Sequence, residues 1–487
     1  MWCWYKAEKT RINNYLNLKH MRKFLLSMAI IGLCGVTASA QQDKDPAVYA
    51  ATEAGEQLTN LYLNSSVLHG GAAIYPGGIA GDARGMAVAN GKMYVCNRGA
   101  GGVSQLVELD GVTGALLRTI ELPKEMWQEE GTMLGFVAND VQADNAGHIF
   151  VANMSTDMRG TGAAHLFRVN YVDVTQNPVT FKTVLNTSLP ASLEKAMRID
   201  TYDVYGDILN GNGIIMLPVS GVEPGAGNTV LKYTVTNGVA DADNPQTIVL
   251  SELNPKSATG AGAAPRINIV DDELFYHDGF TTLPMLYDMN GNVVDGFQNN
   301  KPLSPASPGQ NGVTEFELNG SYYLIVASTN TNNDPPQAFD LFKFKDDSRS
   351  FADMKLLYRF PEAGLGSVAN AVRTALPRVE IVEGTGGKKK ARINIYAYRN
   401  GYGIYEFTND DPTSVKTLNA DGINFMVNGC KVTVNGPVKT IDIYSVDGQK
   451  VASSADGHTV NVPAKGVYML AIQKVDGSRK TTKIVTD

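Results

Sequence analysis

Arginine recurs at one kind of position in this chain. Arg84 stands before "GMAVA", Arg198 before "ID", Arg266 before "INIV" and Arg373 before "TALPRVEIV". A guanidinium binds a carboxylate through two parallel hydrogen bonds, so several arginines brought together would select an anionic ligand. The competing use is internal. Asp82, Asp140 and Asp200 are close enough in sequence to neutralise part of such a set and to tie neighbouring elements together. Asn139 and Asn311 precede similar runs, while Arg98, Asn153, His277, Asp278, Asn330 and Arg399 follow them. Trp127 is the one tryptophan beyond residue 40. Its indole is either a stacking surface for a sugar or a cover over a gap between elements.

Catalytic signatures are missing. The chain has no HExxH, GxSxG, Walker loop or CxxC, so no catalytic residue, metal ligand or cofactor is assigned. The histidines are scattered, and His148 sits beside a turn. "DMNGNVVDG" (288–296) and "DADN" (241–244) have some of the spacing of calcium loops but read as hairpin turns and loops. An enzymatic alternative stays open: a metal-dependent hydrolase or lactonase with ligands among Asn139, Asp140, Asp200, Asn268 and Asn311. Another alternative is a structural scaffold whose centre is filled by apolar side chains.

The elements that must position these residues are strands. Short alternating runs broken by Gly, Asn, Asp and Pro dominate from residue 80, the pattern of an all-β chain. "LVELD" (106), "LFRVN" (166), "VLKYT" (230), "MLYDM" (285), "LFKFK" (341) and "IYEFT" (404) repeat at intervals of 55–64 residues. An apolar strand precedes each one. Tight Asn-Gly turns at 90–91 and 319–320 join strand pairs, because Asn-Gly supplies the positive φ angles of a two-residue hairpin. A lone three- or four-stranded unit cannot bury both faces, whereas six around an axis can. Residues 41–412 are therefore expected to form a β-propeller of six blades. A seventh blade within 351–383 is the alternative. "LTNLYLNSSVL" (58–68) either supplies the outer strand of the last blade or covers the first. In this fold the strand-entering arginines and the long loops at 97–104, 154–165, 219–229 and 328–339 share one face around the central channel. That face is the expected ligand surface, for a glycan, peptide or protein.

After Asp411-Pro412 the spacing changes. Residues 413–487 read as a small Ig-like β-sandwich with turns at Asn428-Gly429, Asn435-Gly436, Asp447-Gly448 and Asp476-Gly477. "VKTIDIYSVDGQKV", then "VNVPAKGVYMLAI", then a basic last strand resemble the type A C-terminal sorting domain of type IX (Por) secretion substrates. The residues that carry the resemblance are Ile441–Tyr444, Asp447, Gly448, Gly466, Val467, Tyr468 and Thr481–Val485, although the chain ends Thr-Asp rather than on a Lys-rich stretch. The resemblance implies recognition by the outer-membrane secretion machinery and an extracellular or cell-surface destination, or the periplasm where that machinery is missing.

The other end agrees. "RKFLLSMAIIGLCGVTASA" (22–40) has the basic, apolar and small-x-small regions of a secretory signal peptide, with Met21 as the expected start and cleavage expected after Ala40. The full chain carries a net charge of −7. Removing 1–40 leaves 36 basic and 48 acidic residues, a net charge of −12. That balance argues against nucleic acid and anionic membranes as partners. No later apolar run is long enough to span a membrane as a helix.

Overall fold

The computed structural model describes residues 45–486, apart from 53, 99–102, 222–226, 255–259, 299–302, 304–309, 329–336, 368–373, 385–387, 410–415, 419–422, 429, 436–437 and 455–457. The signal segment, Asn330 and Arg373 lie outside the described residues.

Among the described residues, six antiparallel sheets of four or more strands, with a short two-stranded ribbon at 128–133, make up the first part of the chain. Their innermost strands begin at Ala83 (blade 1), Asp140 (blade 2), Arg198 with its continuation Asp203–Gly206 (blade 3), Arg266 (blade 4), Gln310 (blade 5) and Arg378 (blade 6). Blade 4, whose sequence pattern is the weakest, is a complete four-stranded sheet, Arg266–Gly296. Among its described residues the 351–383 stretch holds no seventh blade. It supplies the outer strand of blade 5, Lys355–Phe360, and the inner strand of blade 6, Arg378–Glu383.

The ring closes with a strand from the N-terminal side. Gln57–Ser65 pairs antiparallel with Gly401–Thr408 and so becomes the outer strand of blade 6. Buried Asp45 pins this segment. It accepts hydrogen bonds from Tyr49 Oη (2.6 Å), Asn60 Nδ2 (2.7 Å), Tyr405 Oη (3.2 Å) and the Glu362 amide (2.9 Å). Blades 5 and 6 are thereby stitched to the start of the chain.

Stacking buries what single sheets cannot. Each of the six blade-to-blade interfaces has its own apolar cluster, from Tyr94 with Val151 between blades 1 and 2 to Val95 with Tyr396 between blades 6 and 1. The hairpin turns follow the expected chemistry. Asn90-Gly91 and Asn319-Gly320 have positive φ at both residues, 53° and 72°, then 49° and 80°. At Asp288 the carboxylate accepts the Asn290 and Asn292 amides at 2.9 Å, which is a turn.

Beyond residue 415 lie two four-stranded sheets. Phe425, Val432 and Val434 of one sheet pack against Ile441, Leu470 and Ile472 of the other, so this sandwich has a core of its own. Asp447 and Gly448 (φ 87°) form an exposed turn. Gly466 opens the strand Gly466–Lys474, and buried Tyr468 donates its hydroxyl to Ala464 O at 3.0 Å. Among the described residues no helix is long and apolar enough to cross a membrane.

Candidate functional site

Residues from four blades meet in a polar arc at the mouth where the innermost strands begin. Arg84 and Arg98 of blade 1 both face Asp82, at 3.3 and 2.8 Å. Arg98 Nη2 also donates to Asn139 Oδ1 of blade 2. Asn139 Nδ2 donates to Asp200 O of blade 3 at 2.5 Å, and the Asp200 carboxylate holds Arg198 at 2.6 Å. Blade 6 adds Tyr398, buried between Arg84 (5.5 Å from its ring centroid) and exposed Arg399 (5.1 Å). Exposed Phe136 lies 5.0 Å from the Arg98 guanidinium.

The arc carries more cation than anion. Arg84, Arg98, Arg198 and Arg399 meet Asp82 and Asp200, and no ion pair is found for Arg399 among the described residues. Burial opposes ionisation of Asp82, yet the Tyr398 hydroxyl and the two arginines hold its carboxyl below the usual range. Arg98 is pushed down, first by burial and then by the like charge of Arg84. An incoming carboxylate would relieve that repulsion.

Below the arc the channel is filled, and polar side chains fill it. Arg266 is 1% exposed, so it does not line an open face. It crosses from blade 4 to reach Asp140 Oδ2 of blade 2 (3.4 Å) and Thr374 O ahead of blade 6 (2.7 Å). Arg378 of blade 6 likewise crosses to Asp203 of blade 3 (3.0 Å) and to Gln142 of blade 2. Side chains latch neighbouring blades: Thr201 to Pro265 O (2.6 Å), Asn311 to Ala264 O (2.6 Å) and Thr374 to Asn311 O (2.5 Å). The scaffold alternative needs correction here. The plug is not apolar, as a scaffold reading expects. Of the oxygens expected for a channel cation, Asp140 and Asp200 face guanidinium groups and Asn268 Oδ1 accepts the Glu315 amide (3.3 Å).

The other expected site residues divide clearly. Trp127 is buried between blades 1 and 2, its Nε1 donating to Ser104 Oγ at 2.9 Å, so it covers a gap and offers no sugar platform. Asn153 is also buried. It fastens the base of the 154–165 loop by donating to Leu166 O (2.9 Å) and accepting the Arg168 amide (2.7 Å). His277 and Asp278 are buried in blade 4. Neither His277 nitrogen has a partner among the described residues, and burial drives its pKa down to about 3. Asp278 Oδ2 accepts the Gly312 amide (2.9 Å), its Oδ1 has no partner among the described residues, and burial raises its pKa to about 7. Sequence reasoning misses Phe136, Tyr398, Gln142, Asp203 and Arg378. Phe136 and Tyr398 are each a few residues from a recognised position, at the same mouth, and that proximity is the available signal.

Among the described residues, a grouping of three potential metal ligands is Asp144, His148 and Asp207, at the far end of the channel. Both Asp144 oxygens there already accept backbone amides, from Ala146, His148 and Ile208.

These features define a six-bladed β-propeller closed by an N-terminal strand and followed by a β-sandwich. The chain is similar in fold to a DUF4623 family protein from Bacteroides eggerthii, at 16% identity and TM-score 0.55, covering 74% of this chain and 77% of that one. Weaker likenesses include BamB from Moraxella catarrhalis (12% identity, 82% and 95% covered, TM-score 0.29) and the soluble aldose sugar dehydrogenase of Escherichia coli (10%, 72% and 99%, TM-score 0.38). No family model and no curated protein matches the chain.

Proposed function

We propose that this propeller is a non-enzymatic binding protein whose arginine arc takes carboxylate-bearing ligands, uronic-acid glycans foremost. The observation that carries this reading is the excess of guanidinium groups over carboxylates at one mouth of an otherwise acidic protein. Phe136 supplies an exposed ring beside them, suited to the apolar face of a sugar. Arg266 does not belong to the ligand set, because it is sealed within the channel.

Titration calorimetry with trigalacturonate tests the arc. Arg399→Asn removes the exposed guanidinium at a left-handed position (φ 58°) that asparagine tolerates. The expected result is a loss of about tenfold in affinity, the scale of one charge-assisted hydrogen bond, with a further loss on raising salt from about 0.05 to 0.5 M. Unchanged affinity in the variant together with salt-independent binding would remove the arc from the function.

We also propose that the sandwich is a sorting domain of the type IX kind, on the strength of the motif around Asp447, Gly448, Gly466 and Tyr468 and its separate core. Fused to a periplasmic passenger in a host that exports such tails, residues 413–487 should carry the passenger to the cell surface. A passenger that stays periplasmic would contradict this. Deleting residues 413–487 from the parent chain should leave a propeller that unfolds cooperatively, since the apolar clusters found between blades among the described residues include no sandwich residue.

A further inference from the structure

The channel has a second mouth, opposite the arc. There all six innermost strands contribute to one cavity of about 310 Å³. Val88, Asp144, Tyr205, Asn268, Glu315 and Arg378 represent blades 1 to 6 in its wall. The plug formed by Arg266 and Arg378 separates it from the arc.

Two of its three carboxylates are paired with arginines, and the third, Asp144, is held by hydrogen bonds. Arg378 faces Asp203 at 3.0 Å, and Arg349 faces Glu315 at 2.7 Å. Asp144 accepts His148 Nδ1 at 2.9 Å. A charged ligand would therefore meet like and unlike charges together and gain little from either. What remains is hydrogen-bonding capacity. Asn268 is 7% exposed, its Oδ1 accepts the Glu315 amide, and its Nδ2 has no acceptor among the described residues. Arg378 Nε also lacks one. Tyr276 donates to one Glu315 oxygen (2.6 Å), the Arg349 guanidinium faces the other as an ion pair, and each oxygen has a lone pair to offer. Val88 and Tyr205, both half-buried, add carbon surface.

We propose that this cavity binds a neutral polyhydroxylated molecule of monosaccharide size. Hydroxyl groups both accept and donate, so a single sugar can take the Asn268 donor and supply protons to Glu315 without bringing charge to a wall whose Asp203 and Glu315 already face arginines. The volume lies at the small end of the roughly 300–1,000 Å³ typical of ligand pockets, enough for one ring and not for a chain. This site is independent of the arc and differs from it in ligand charge and in salt response.

Ligand-observed NMR and calorimetry on residues 41–487 with glucose, galactose, mannose, arabinose and rhamnose provide the test. At least one sugar should bind with a millimolar or tighter Kd, unaltered by salt between about 0.05 and 0.5 M. Val88→Trp fills the cavity and should abolish binding. Asn268→Ala should weaken it about fivefold, as expected for one hydrogen bond to a neutral group. Arg399→Asn should leave it unchanged. If Val88→Trp does not fold, Asn268→Ala decides alone. Failure of every sugar to bind, full binding in Asn268→Ala, or weakening by salt in step with trigalacturonate would overturn the proposal.

Discussion

Replacing Arg266 with methionine should cost the protein about 3–5 kcal/mol of stability, the usual effect of removing one partner from a buried ion pair. Arg266 and Asp140 are 1% exposed each, and no solvent can replace the guanidinium once it is gone. Asp140 would keep the Gln142 amide group (3.1 Å) and a longer contact from the Tyr202 amide (3.4 Å). Burial already pushes its pKa up, and Arg266 is the largest influence in the opposite direction. Removing both charges together, Arg266→Met with Asp140→Asn, should restore most of the loss, because no buried charge is then left uncompensated. Urea unfolding of the 41–412 fragment measures both variants. A loss below about 1 kcal/mol in Arg266→Met would mean that the cross-channel pair holds nothing together.

The second large effect is one of pH. Asp278 and His277 are adjacent, buried and displaced in opposite senses. Asp278, with a folded pKa of about 7, binds a proton in the folded state that it has lost in the unfolded chain. Its contribution is therefore present at acid pH and lost as pH rises from about 4 through 7. His277, with a folded pKa of about 3, behaves in reverse. Protonation in the unfolded chain below about pH 6.5 draws the protein toward unfolding, so its contribution falls as the solution is acidified. The two slopes oppose each other across the acid range. Asp278→Asn keeps an oxygen for the Gly312 amide and removes only the titration. Relative to the parent protein, this variant should gain about 4 kcal/mol in stability between pH 4 and pH 8. That figure follows from a folded pKa of about 7 against an unfolded one of about 4, at about 1.4 kcal/mol for each pH unit between them. Unfolding curves at the two pH values give the difference. If the difference between variant and parent stays constant, Asp278 does not titrate in this range.

Most of the fold is legible in the sequence because it rests on local periodicity. Strand triplets, Asn-Gly turns and the repeat interval all record neighbours close in the chain. The closing strand Gln57–Ser65 is visible as a strand, but its partner lies some 340 residues later, and nothing local names it. The site is legible by class and not by depth. Arg84, Arg198 and Arg266 all stand at the start of an innermost strand, yet two sit at the mouth with neighbouring acids and the third crosses the channel. That difference depends on which acids the opposite blades present, and Asp140 is 126 residues from Arg266. Trp127 is the same case. A lone indole reads alike in an open groove and in a closed seam, and only the packing of blade 1 on blade 2 separates the two.

The arginine arc is proposed to recognise carboxylate groups on a glycan. The most direct measurement compares trigalacturonate with the same trisaccharide after its carboxyl groups are reduced to alcohols, by calorimetry at low salt. Size, ring shape and hydroxyl pattern are then held nearly constant while the charge is removed. Binding should be at least about tenfold weaker after reduction, with the difference vanishing when Arg198→Gln and Arg399→Asn are combined. Equal affinity for the two trisaccharides, or a difference that survives loss of both arginines, would contradict it.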